Sequence, residues 1–110
     1  MLDWNNYRRQ VVAGVGEIGK LTPDTVKGYA MLNGAGSKTG HLNAKTRELI
    51  ALAAAITLRC DGCITVHAAE AKKHGATEGE VAEALGAAIS VNAGAALVYS
   101  TRAHEAFRAA

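Results

Sequence analysis

At 110 residues with a net charge of +2, the chain has the size of one domain spanning 1–110 and is too short for two separate cores. Its apolar fraction is 49%, made largely of alanine with 5% aromatics, which favours closely packed helices over a core of large side chains. No basic run interleaved with aromatics argues for nucleic acid. Residues 1–10 are polar and carry no apolar export segment, so a cytoplasmic protein is expected.

The first helix is predicted from about Asp3 to Glu17, where Tyr7, Val11, Val12 and Val15 share a face. Thr22 before Pro23 marks the next start, a hydroxyl cap followed by a proline whose missing N–H costs nothing in the first turn. That helix should reach about Asn33 and end at Gly34-Ala35-Gly36. Asn43 caps a third helix, Ala44 to about Arg59, apolar on nearly all sides after Glu48 and therefore central. Its apolar run, Leu49 to Leu58, is about half the length of a bilayer span, so no membrane partner is expected.

Asp61-Gly62 is a turn signal, placing Cys60 at the end of the third helix and Cys63 in the first turn of a fourth. The fourth should end at His74 with Gly75 capping it. Thr77 and Glu80 have capping-box spacing and start a fifth helix, striped by Val81, Leu85, Ala88 and Ile89. Gly94 then interrupts, and a sixth helix carries Leu97, Val98, Tyr99 and Phe107. No stretch has the pattern of a strand, so the expected fold is an all-α bundle of about six helices.

Cys60 and Cys63 are the only cysteines. Three residues apart in a helical turn, they fall within the ~4.4–6.8 Å Cα separation of a disulfide. In a cytosolic chain such a pair points to catalysis or metal binding more than to a structural bridge. His67 stands at i+4 from Cys63, on the same helix face. A first-turn position and a neighbouring imidazole both favour the Cys63 thiolate, the nucleophilic form. Attack on a peroxide would leave a sulfenic acid at Cys63, which Cys60 would condense to a disulfide, and an outside dithiol would reopen it. Glu48 is the remaining candidate, a carboxylate entering an apolar helix and needing a partner. Straight helix separates it from Cys60 by about 18 Å, so it joins the cysteines only through a sharp turn or from another subunit.

Gly40-x-Leu42-x-x-Lys45-x-x-Glu48-Leu49-Ile50, Cys60-x-x-Cys63-x-x-x-His67, Gly75-Ala76-Thr77 and Glu80-Val81-x-Glu83-Ala84-Leu85 together resemble the carboxymuconolactone decarboxylase family, most closely its alkylhydroperoxidase D-like branch, over about residues 40–99. The resemblance implies an all-helical homo-oligomer, a trimer or hexamer, with peroxidase or disulfide-reductase activity. It implies that Cys63 forms the sulfenic acid, Cys60 donates a proton and resolves, and Glu48 and His67 form a proton relay. The substrate would be a hydroperoxide or disulfide and the reductant a protein or lipoyl-type dithiol; no cofactor is called for. One departure is Gly62, where the branch's well-known peroxidases carry a histidine. The chain also resembles the family's single-unit members, so a neighbouring subunit is a candidate to complete the site.

Other readings stand beside this one. His67 and Glu48 could serve as acid and base in a lyase acting on a lactone or β-keto-type acid. Cys60, Cys63, His67 and one of Glu48, His41 or His74 could form a zinc-storing module, although the spacing fits no common structural finger. The cysteines could also be small core residues. Lys45, Arg47, His41 and His104 are expected on solvated surfaces, His74 at a helix C-terminus, and Trp4 and Tyr99 in packing roles.

Overall fold

The computed structural model describes residues 2–110, and among them it is all-α. Five helices follow one another: α1 (Trp4–Leu21), α2 (Pro23–Thr39), α3 (Ala44–Thr57), α4 (Asp61–Lys73) and α5 (Glu78–Ala109). Side-chain caps set most of the starts. Asp3 accepts from the Asn6 N–H and Asn43 from the Thr46 N–H. Thr77 and Glu80 close the reciprocal capping box expected from their spacing. Thr22 precedes α2 as expected, but its hydroxyl pairs with Thr25 Oγ1 at 2.8 Å and caps no backbone N–H.

Two expected boundaries are corrected. α2 does not stop at Gly34-Ala35-Gly36 but continues to Thr39, and Gly40 ends it in the left-handed conformation, φ 69°. Glycine lowers helix propensity without forbidding the conformation. At Gly36 the missing side chain admits a neighbour: a Cβ there would lie 2.6 Å from Arg47 Cδ. Arg47 Nη1 donates to the Gly36 carbonyl at 3.3 Å and also to the Leu42 carbonyl, so it ties the α2–α3 connection and is not a solvated side chain.

The second correction concerns Gly94, which lies inside α5, so the expected fifth and sixth helices are one helix of 32 residues. At 1.5 Å per residue it is about 48 Å long. Among the described residues, α5 is the one helix long and apolar enough by length and composition to cross a bilayer. The split at Gly94 hid that length from a scan for continuous apolar runs.

α3 and α4 form an antiparallel hairpin, and α5 also packs on α3. Lys45 meets Glu80 at 2.7 Å near the start of both helices, and Asn92 Nδ2 donates to Thr57 Oγ1 at 2.9 Å near the end of α3. α3 and α5 therefore run parallel and in step. Lys45, expected on a solvated face, is half-buried and part of this junction. The ion pair with Lys45, followed by the backbone N–H of Thr77, holds the Glu80 carboxyl below its ordinary 4.5. α1 lies antiparallel along α4: the buried Thr65 hydroxyl donates to the Trp4 carbonyl at 3.0 Å, and Val11 approaches Gly62.

The interior is small. Leu52, Ala55, Ala71 and Thr65 are buried, whereas Leu32, Leu58, Leu97 and Phe107 are each more than 70% exposed. A compact protein of 11.4 kDa exposes about 5,800 Å² by surface–mass scaling; this chain exposes 8405 Å². Its radius of gyration is 17.8 Å, against about 13 Å for a compact domain of this length.

Candidate functional site

The site forms where α3 turns back into α4. α3 ends at Thr57 and closes with a double backbone cap: the Arg59 N–H donates to the Ile56 carbonyl at 3.2 Å and the Cys60 N–H to the Ala55 carbonyl at 3.1 Å. Arg59 occupies the left-handed position of this cap, φ 54°, the one such non-glycine among the described residues. Glycine is the usual occupant. The reversal is complete within three residues, and Cys60 emerges as the N-cap of α4. It does not sit at the end of the third helix as expected, because this turn takes up residues 58–60.

Cys60 and Cys63 form a disulfide with Cα atoms 5.2 Å apart. Cys60 Sγ also accepts the Cys63 N–H at 3.1 Å, the hydrogen bond a capping oxygen ordinarily takes. Both sulfurs lie at the positive end of the α4 dipole, and both residues are half-buried. Gly62 between them faces α1, where a Cβ would meet Val11 at 3.5 Å. That is ordinary contact distance for one carbon.

One turn along α4, His67 Nδ1 lies 2.7 Å from Glu48 Oε2, with the two side chains 15% and 20% exposed. An ionised carboxylate only accepts, so against one Nδ1 would carry the hydrogen. The antiparallel α3–α4 hairpin brings Glu48 back beside α4 within a single chain, which removes the ~18 Å separation of a straight helix. The bond runs to His67; no hydrogen bond among the described residues joins Glu48 or His67 to either sulfur.

The remaining candidates lie elsewhere. His41 and His104 are exposed, and His74 Nε2 stands 3.6 Å from Glu70 Oε2 at the end of α4. Trp4 packs edge-to-face on Tyr7, while Tyr99 is exposed beneath the Arg102 guanidinium. Among the described residues no three His, Cys, Asp or Glu side chains converge as a metal site. The sequence reading missed Arg59, which it placed inside the third helix. The Asp61-Gly62 turn signal lies just beyond it, and nothing in an arginine announces positive φ.

Residues 23–106 match the carboxymuconolactone decarboxylase family. The chain belongs to that family. Its α3–α4 hairpin, with the cysteine pair and the Glu48–His67 bond, lies wholly inside the matched region. An uncharacterized protein of Haemophilus influenzae is 51% identical over 105 residues, covering 96% of this chain and 93% of its own length. A protein described as uncharacterized protein 4 in the cox locus of Paracoccus denitrificans is 31% identical, over 83% of this chain and 82% of its own. Among solved structures, the apo crystal structure of a carboxymuconolactone decarboxylase family protein from Legionella pneumophila superposes with a TM-score of 0.76 at 34% identity. It covers 96% of this chain and 94% of that one.

Proposed function

We propose that this family member is a thiol-dependent oxidoreductase of the alkylhydroperoxidase D-like type, reducing hydroperoxides or disulfides in the cytoplasm. The observation that carries the reading is the Cys60–Cys63 disulfide at the start of α4, one turn from the Glu48–His67 hydrogen bond. The Cys63 thiolate attacks the distal peroxide oxygen. The O–O bond breaks, Cys63 becomes a sulfenic acid, and the departing alkoxide takes a proton. The Cys60 thiolate then attacks the Cys63 sulfur, the S–S bond forms and water leaves. A dithiol reductant reopens the bond and is itself oxidised.

His67 serves this cycle as the proton carrier at Nε2, and Glu48 holds its ring and tautomer through Nδ1. The helix dipole and the Cys63 N–H stabilise sulfur anions at the turn. Gly62 in place of the branch's histidine leaves His67 as the single imidazole of the site. The subunits associate, and neighbours cover the apolar faces of the helices.

The test is a thiol count with intact mass before and after one equivalent of hydrogen peroxide. Two thiols falling to none, a loss of two hydrogens, and recovery with a dithiol support the reading. Full peroxide consumption by Cys63→Ser would sink it. An activity on a lactone acid that survives loss of both cysteines would place the protein among the lyases instead.

A further inference from the structure

We propose that Arg59 is the recognition residue for the dithiol that reopens Cys60–Cys63, and that it selects a reductant bearing a carboxylate. This rests on the dithiol reading above and names the class of its reducing substrate. Arg59 directly precedes Cys60, and consecutive Cα atoms lie about 3.8 Å apart. Its side chain therefore springs from the residue adjoining the disulfide. The side chain is exposed and, among the described residues, has no ion-pair partner. Asp61, two residues on, is exposed and not bound to it.

The backbone adds an independent reason. Arg59 holds φ 54° at a helix end where glycine is the favoured residue. Glycine would serve the turn better, and among the described residues no ion pair engages the guanidinium. Non-glycine residues in the left-handed region concentrate at ligand sites. A guanidinium is charged at every working pH and grips a carboxylate through two parallel hydrogen bonds. An incoming anion meets this cation beside the N-terminus of α4, whose first turn also carries the exposed Asp61.

In the step itself, one thiolate of the reductant attacks a sulfur of the Cys60–Cys63 bond. That bond breaks, a mixed disulfide forms and the other cysteine leaves as a thiolate. The reductant's second thiolate then displaces the protein sulfur and closes the reductant's own disulfide. Two electrons pass to the protein, and the two protons of the reductant's thiols end on Cys60 and Cys63. Arg59 holds the carboxylate throughout.

Dihydrolipoate and its neutral amide, dihydrolipoamide, present the same thiols and differ in the distal charge. Their rates of reducing the oxidised full-length protein are compared by rapid quench. Wild type should favour dihydrolipoate about three- to fivefold, the range of an exposed ion pair. The preference should vanish in Arg59→Gln and at about 0.5 M salt, and persist in Arg59→Lys. Circular dichroism and solution mass check that the variants are folded and assembled like wild type. Equal wild-type rates for the two dithiols, or a preference kept by Arg59→Gln, overturn the assignment while leaving the dithiol reading intact. A disulfide that neither dithiol opens overturns both.

Discussion

His67 and Arg59 lie on either side of the cysteine pair and are held in opposite ways. His67 is fixed by a carboxylate from the preceding helix, 2.7 Å away and largely shielded from water. Exchanging that carboxylate for an amide removes the negative charge behind the ring without touching a sulfur. Glu48→Gln should therefore still form the Cys60–Cys63 disulfide, yet turn over peroxide about 100-fold more slowly, the lower end of general acid–base effects. Thiol titration and steady-state peroxide consumption on the same preparation separate the two. Arg59 is held by its backbone alone, in a conformation that costs a non-glycine residue about 1 kcal/mol. Arg59→Gly should recover about that much, raising the melting temperature by roughly 4–8 °C for a domain of this size. A variant that melts at or below wild type would show that the arginine has a stabilising contact.

At the scale of elements, glycine means different things at different positions. Gly34 has no atom near where a Cβ would stand, while Gly36 would put one 2.6 Å from Arg47 Cδ. Gly34→Ala should stabilise α2 by about 0.5–1 kcal/mol. Gly36→Ala should lose that gain, because Arg47 must leave the carbonyls that join α2 to α3; denaturant melts of the pair give the comparison. The α3–α5 junction depends on pH instead. Glu80 titrates below 4.5 in the folded chain because of Lys45 and the Thr77 N–H. Its contribution is complete above pH 4.5 and disappears as the pH falls through the lowered folded value. Glu80→Gln should flatten that acid limb, so melting temperatures at about pH 7 and about pH 3 lie closer together than in wild type.

The whole molecule has more surface than a lone domain of its mass should have. The excess, about 2,600 Å² by surface–mass scaling, exceeds the roughly 800 Å² that one partner contributes to a standard interface. The exposed surface includes many large apolar side chains, among them Leu32, Leu58, Leu97, Val98 and Phe107. The second half of α5, beyond Asn92, runs past the end of α3, and all of it but Gly94 is exposed. A helix this apolar needs a covering, and copies of the chain supply it under the proposed function. Light scattering should give a mass at least three times 11.4 kDa, since each subunit has area for more than one neighbour. Leu97→Glu should break the assembly into smaller species. A wild-type chain that runs as a monomer would contradict this.

Local rules carried the sequence a long way. Caps at Asn43 and Thr77, the glycine at Gly75 and the apolar period gave an all-α chain with most helix starts in place. The spacing of Cys60, Cys63 and His67 gave three residues of the candidate site, because short i,i+3 and i,i+4 separations are decided by one helix or one turn, whereas Glu48 entered only through the family pattern. The tertiary structure decided what those intervals do not contain. Gly94 stays helical because neither a cap nor a positive φ breaks α5 there. Arg47 is drawn from solvent by carbonyls of the preceding turn, and Lys45 by a carboxylate on a helix that starts more than thirty residues later. Glu48 meets His67 only because α3 reverses through Arg59, and a reversal of that kind is fixed by backbone closure between the helices, not by the side chains that result from it.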